Sequence, residues 1–354
     1  MNFWFGLLSL LNCGKVKLNL LRMDLDRELL FGLVFLLLNP AILLLVRLLN
    51  PLRSRVAQFF RLFYVQGLYT LYFSQSIWLS QLFFHGRSLD PQFAWLEQAL
   101  FRSQPALIMS RGLVGGPLLN ELIFFAYFFF YALIALGPWL LYLRGRYEEA
   151  RRALFVITLS FFVLYSWYAF FPVQGPKYFF PELRRLWYSN FDGYLFTHLM
   201  KSFFGLMNLA GAAVPSSHVA MSLVALLLNW RDNRVLFWLY LPMIALLALS
   251  TIYLYAHYVV DDILGAAAGI LLYLFIPRAL GAVSKAASRV GGWLSERLGF
   301  PAVALGLRSP SGGAAVPRRS AGWLRLQRTR PGDQAQGQAD GNRSADQESA
   351  RHRM

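Results

Sequence analysis

The 354-residue chain contains a single cysteine, Cys13, and little charge: Asp, Glu, Lys and Arg together make up 15% of it. One thiol excludes an internal disulfide and a zinc site built on cysteines, and it is silent on compartment. With 57% hydrophobic and 16% aromatic residues beside so few charges, the composition also excludes an ordinary soluble domain. Negative charge is the scarcer sign, 18 Asp plus Glu against 34 Lys plus Arg, for a formal net charge of +16. Such an excess would suit nucleic acid if it covered a folded surface. Much of it lies instead in residues 281–354, with twelve Lys plus Arg against five Asp plus Glu. That segment is rich in Gly, Ala, Gln, Arg and Ser and has almost no aliphatic periodicity. It reads as a disordered basic tail that touches anionic lipid, and nucleic acid is not an expected partner.

What fills the rest is apolar. Runs at 29–49, 62–84, 117–143, 153–172, 215–230, 235–256 and 261–280 each approach the ~20 helical residues that cross a ~30 Å hydrocarbon core. The expected fold is all-α, a polytopic membrane helix bundle. It divides into an N-terminal hydrophobic segment (1–57), a transmembrane core (58–280) and the tail (281–354). The opening "MNFWFGLLSLLN" lacks a basic start and a small-residue cleavage site, which favours an interfacial or partly inserted segment over a removable signal peptide. Pro40 interrupts the first run, so the side of the N-terminus stays open. The stretch 92–115 has mixed polarity and is expected to lie along the external interface as an amphipathic piece. No fixed-period repeat occurs.

Basic residues set the orientation. "RGRYEEARR" (144–152), "RDNR" (231–234) and the tail follow one another at intervals of two crossings, and all three are expected on the cytoplasmic side. Phe171 to Val214 and the turn around His257 to Asp262 then share the external face. The expected location is a plasma membrane, of the bacterial inner-membrane kind, with any site at these residues facing outward.

Three polar clusters interrupt the apolar text on that face. In "VPSSHVAMSLVALLLNW" (214–230), Pro215, Ser216 and Ser217 suit the start of a helix whose free first-turn amides make an anion site beside His218. In "STIYLYAHYVVDDILGAAAG" (250–269), His257 and Asp261 are four apart, so on a helical turn the carboxylate can meet one imidazole nitrogen and leave the other free. Asp262, at five, is expected to point elsewhere. In "FFPVQGPKYFFPELRRLWY" (170–188), the Gly175-Pro176 turn holds Lys177 near the surface, with Arg184 and Arg185 one or two helical turns on. Each cluster alone also reads as a capped helix, a stabilised helix junction or an interfacial anchor. Together, two His, an Asp and several cations support phosphoryl transfer. One imidazole attacks phosphorus, the other protonates the leaving oxygen, and cations with helix amides hold the equatorial oxygens.

At these residues the chain resembles the type 2 phosphatidic acid phosphatase superfamily, which includes vanadium haloperoxidases and sphingolipid phosphotransferases. Pro215, Ser216, Ser217 and His218 match its Pro-Ser-Gly-His motif with Ser for Gly. Ser250, His257 and Asp261 match its third motif, with Thr251 where phosphatases have Arg. Lys177 and Arg184 have the spacing of its first motif, with Arg185 in place of Pro. The resemblance covers about 118–280 and implies a six-helix core if the run at 62–84 is included. It implies that His257 forms a phosphohistidine, that Asp261 orients it and that His218 protonates the leaving group. Lys177, Ser216, Ser217 and Arg184 would bind phosphate, with no metal and no cofactor. The implied activity is that of an integral membrane lipid phosphatase or phosphotransferase, acting on a phospholipid or lipid phosphate among the membrane lipids. The hydroxyl of Thr251 and the "GPKYF" sequence look more like the branch of the inositol phosphorylceramide synthases, in which an alcohol resolves the phosphoenzyme. A plain lipid phosphate or pyrophosphate phosphatase is the alternative. A proton-coupled transporter fits less well, because proton relays sit mid-helix and both histidines here sit at helix ends. The oligomeric state is open.

Overall fold

The computed structural model describes residue 7 and residues 17–20, 23–48, 54–84, 87–112, 115–206 and 211–298. Cys13, almost all of the opening apolar stretch and the tail beyond residue 298 lie outside the described residues. Two compact units are present, 1–283 and 284–354. The first holds the site described below; the described part of the second is helical.

The fold is all-helical apart from a short antiparallel hairpin, β1 (Lys17–Leu20) and β2 (Met23–Asp26), before the bundle. Helix α1 (Arg27–Leu48) runs through Pro40 without ending there. The run expected at 62–84 is two helices, α2 (Arg55–Gly67) and α3 (Tyr69–Phe84), parted at Leu68. Ser54 caps α2, its hydroxyl oxygen accepting from the amides of Val56 and Ala57. The mixed-polarity stretch forms α4 (Asp90–Phe101) and α5 (Pro105–Gly112). Then follow α6 (Pro117–Leu143), α7 (Tyr147–Phe170), the short α8 (Pro176–Phe179) and α9 (Pro181–Ser189), α10 (Leu195–Leu206), α11 (Ser217–Asp232), α12 (Arg234–Tyr253) and α13 (Val259–Leu298).

Hydrocarbon offers backbone groups no partner, so spanning segments satisfy them internally as helices. Among the described residues, α6, α7, α12 and the Val259–Ala279 part of α13 are long and apolar enough to cross a membrane. Each buries one face and leaves the other apolar and exposed: on α12, Tyr240 and Leu247 are buried while Val235 and Trp238 are exposed. Helix α11 packs against α12, α6 and α7, and α3 packs against α7. The contact of α13 with α11 is set by glycine. A Cβ at Gly265 would lie 2.6 Å from the Ser216 carbonyl oxygen, and one at Gly269 2.5 Å from that of Ala220. Two small residues four apart let the backbones touch, and they do so at the first turns of α11, next to His218.

The basic loops meet at one end of the bundle. An Arg146 guanidinium nitrogen donates to the Asp232 carbonyl at 2.8 Å, and Arg152 pairs with the Asp232 carboxylate at 2.7 Å. The histidine clusters sit at the other end of the same helices.

Candidate active site

Three loops are woven together at the histidine end. The Val173 carbonyl accepts from the Ala213 amide at 3.0 Å, the Tyr255 carbonyl from the Lys177 amide at 2.8 Å, and the Asp261 carbonyl from the Ser216 amide at 3.0 Å. Gly175 has φ +91°, and a Cβ there would lie 2.4 Å from the Ala256 carbonyl oxygen, so only glycine lets the Lys177 loop rest on the His257 loop. Backbone contacts thus bring three stretches far apart in sequence into one site.

His257 lies in the turn between α12 and α13. Its Nδ1 is 3.0 Å from the Ala213 carbonyl oxygen and 3.6 Å from Asp261 Oδ2, and its Nε2 is 3.4 Å from His218 Nδ1. A carbonyl only accepts, so in the neutral ring Nδ1 carries the proton and Nε2 keeps a lone pair facing His218. Burial pushes the His257 imidazole below its ordinary pKa, against the opposing pull of the Asp262 carboxylate and the Ala213 carbonyl, and so favours the neutral ring. His218, in the first turn of α11, is packed between the rings of Tyr127 and Phe130 at 4.5 and 4.6 Å between centroids.

The expected helical His257–Asp261 pair takes a different form. His257 precedes α13, Asp261 Oδ2 accepts from the Tyr258 amide at 2.9 Å, and the Ala213 carbonyl is the nearer partner of the imidazole. Asp262, expected to point away, turns inward. Its Oδ2 accepts from the Thr251 hydroxyl at 2.6 Å, Ser216 also bonds it, and its charge acts on His257. Ser216 is fully buried and caps α11 through the Val219 amide at 3.4 Å. It supports the site from behind, and Ser217 is the one that lines the cavity.

Lys177 is buried with its Nζ 3.9 Å from the ring centroid of Phe204, 4.0 Å from Trp187 and 4.8 Å from Tyr178. Burial pushes its pKa down to about 7, the nearby Arg184 adding to the fall. Arg184 itself is exposed on α9 and does not line the cavity, so the structure brings together Lys177, Ser217, His218 and His257 and leaves Arg184 at the periphery. The cavity holds about 920 Å³ of space, open solvent at its mouth included, and runs from the histidines inward to Gln66, Thr70 and Ile134 at the α2–α3 break. Its walls are largely aromatic.

Two carboxylates on α4 escaped the sequence reading. Asp90 accepts from the amides of Gln174 and Gly175, each at 2.8 Å, and from the Tyr258 hydroxyl at 3.1 Å, so it ties the Lys177 loop to the His257 loop. Glu97 accepts from the Val259 amide and caps α13 two residues after His257. Both are buried, and burial raises both pKa values, that of Glu97 to about 7. The available signal was Asp90-Pro91, a helix-start pair just before the stretch 92–115. No cluster of three or more His, Cys, Asp or Glu suited to a metal occurs among the described residues.

The family model of the PAP2 superfamily matches residues 92–275, from α4 into α13, and contains all three woven loops. No curated protein and no solved structure matches the chain. Since that match covers more than half of the chain, and the chain has helices apolar enough to span a membrane, the protein is a member of the PAP2 superfamily and a membrane protein of the phosphatase type.

Proposed function

We propose that the protein transfers the phosphorylated head group of a phosphodiester lipid to an alcohol through a phosphohistidine at His257, as an inositol phosphorylceramide synthase-like member of its superfamily. The Nε2 lone pair attacks phosphorus. The bond to the leaving oxygen breaks, and protonated His218 supplies that oxygen with its proton. The Ala213 carbonyl and the Asp261 carboxylate stabilise the positive charge that develops on the His257 ring. Lys177, Ser217 and the first amides of α11 hold the phosphoryl oxygens. An in-line phosphoryl group needs the two imidazoles to part from their 3.4 Å separation. In the second half, His218 takes the proton of the acceptor alcohol as the alcohol oxygen attacks phosphorus, and the bond from phosphorus to His257 Nε2 breaks to free the imidazole. The reaction faces the outside, with the basic loops inside.

The charge around the histidines carries the transferase reading. Where hydrolytic relatives are expected to have Arg, Thr251 donates to Asp262 at 2.6 Å. Asp261 and Asp262 are both buried beside His257, and Lys177 is the one cation among the residues lining the cavity. A phosphomonoester dianion would face two carboxylates with one lysine and the protonated His218 in support; a phosphodiester carries one charge and suits the balance better. A plain lipid phosphate phosphatase is the second reading, favoured by family membership.

Purified protein given a labelled phosphodiester lipid and, separately, a labelled phosphatidic acid, each with and without ceramide or diacylglycerol, distinguishes the two. The proposal expects vanadate-sensitive turnover of the diester that rises with the acceptor and yields a new phospholipid. Free phosphate from the monoester alone, unaffected by acceptor, would establish the phosphatase.

A further inference from the structure

At the end of the bundle away from the histidines, a second cavity of about 790 Å³, open solvent included, lies between α7, α11 and α13. Arg152 of α7, Arg231 of α11 and Arg278 of α13 all line it, together with Tyr273. On α11, Arg231 is thirteen residues from His218, about 20 Å along the axis at 1.5 Å per residue. The cavity therefore shares no wall with the active site.

Its charges are unbalanced. Arg152 is matched by Asp232 at 2.7 Å. Neither Arg231 nor Arg278 has a carboxylate partner among the described residues, although the Arg278 guanidinium donates to the Leu274 carbonyl. Of the three guanidiniums lining the cavity only that of Arg152 is paired with a carboxylate, and those of Arg231 and Arg278 are exposed and open to an anion. The remaining lining is apolar and includes the buried Leu228 and the exposed Leu274. From Leu274 the exposed apolar face of α13 continues through Leu271 and Ile270 toward the middle of the span.

We infer that this cavity binds the phosphate head group of an anionic phospholipid from the leaflet at that end, with one acyl chain lying along α13. Guanidiniums between spanning helices at a basic membrane face take phosphate by paired N–H donors. The apolar track beside them suits a lipid and would be wasted on a soluble phosphate. The site is separate from the phosphoryl-transfer centre and does not depend on which reaction that centre performs.

The test uses full-length protein, delipidated in detergent and then exposed to phosphatidylglycerol or phosphatidylcholine, with bound lipid counted by native mass spectrometry. Wild type should retain phosphatidylglycerol over phosphatidylcholine. The Arg231→Gln/Arg278→Gln variant should bind phosphatidylglycerol about 30-fold more weakly, the effect of two charges near a lipid surface, equivalent to about 2 kcal/mol. The Arg231→Lys/Arg278→Lys variant keeps the charge, guards against a folding defect, and should retain most of the preference. Equal phosphatidylglycerol binding by wild type and the Gln variant would overturn the inference, as would equal binding of both lipids by wild type. Loss of the preference in the Lys variant at wild-type thermal stability would refute charge as its basis.

Discussion

Asp90→Asn probes the link between helix α4 and catalysis. In the native site both oxygens of Asp90 are used, for the amides of Gln174 and Gly175 at 2.8 Å each and for the Tyr258 hydroxyl at 3.1 Å. Asparagine keeps one acceptor and turns an NH2 donor toward an amide that also donates. One charge-assisted hydrogen bond, about 1.5–3 kcal/mol, is lost and a buried N–H is left without a partner. The loops answer by moving apart, because Gly175 rests on Ala256 with no slack. About 2 kcal/mol shifts the equilibrium constant between the competent and the parted loop arrangements about 30-fold, and turnover falls by up to that factor. Since the aromatic cavity proposed to hold the lipid is built mostly from other elements, the loss should fall on kcat, with KM changed less than about threefold. The assay is steady-state turnover of the lipid substrate on variant and wild type at matched folded protein, with thermal unfolding recorded beside it. A variant with lowered thermal stability but wild-type kcat would show that Asp90 merely holds the fold, and the reasoning from loop geometry to catalysis would fail.

Other expectations follow from the same geometry. Lys177 binds phosphate only while protonated, and its pKa is pushed down to about 7, so kcat/KM should fall as pH rises above about 7; Lys177→Arg should move that fall several pH units upward or abolish it. A fall at the same pH in the Arg variant would remove Lys177 as its source. Glu97 has a folded pKa raised to about 7 against 4.5 for the free group, so the native state binds the extra proton and stability should drop as pH rises from about 4.5 to 7. Glu97→Gln should flatten this part of the stability curve, as measured by urea unfolding at several pH values. Gly269→Leu should separate α13 from α11 and lower both thermal stability and turnover, whereas Gly67→Ala, where a Cβ meets nothing within 4 Å, should be mild; equal effects would contradict the close helix contact.

The spanning helices and the order of the polar clusters were legible because both are local: an apolar run announces a helix in lipid, and a motif's spacing survives whatever the tertiary fold. What was not legible depends on contacts between distant stretches. The four-residue spacing of His257 and Asp261 suggested a helical pair, but His257 sits before α13 begins, and a carbonyl from residue 213 takes its Nδ1. The same turn geometry brings Asp262 inward to Thr251, so the second carboxylate matters where helical counting sent it away. Arg184 has a motif's spacing from Lys177, yet the break between α8 and α9 at Phe180 leaves it exposed. Asp90 and Glu97 were hidden for a related reason: their partners are backbone amides 84 and 162 residues away, and a backbone amide leaves no mark in a sequence.

The claim at the centre is that His257 becomes phosphorylated and His218 moves the proton. Rapid quenching of wild type, His257→Ala and His218→Ala after mixing with a phosphorus-labelled lipid bearing a good leaving group reads this directly. The account predicts an acid-labile, base-stable labelled protein in wild type and none in His257→Ala. In His218→Ala it predicts slow accumulation, because a good leaving group needs less help from an acid. Label on the His257→Ala protein, or equal label on both variants, would contradict it.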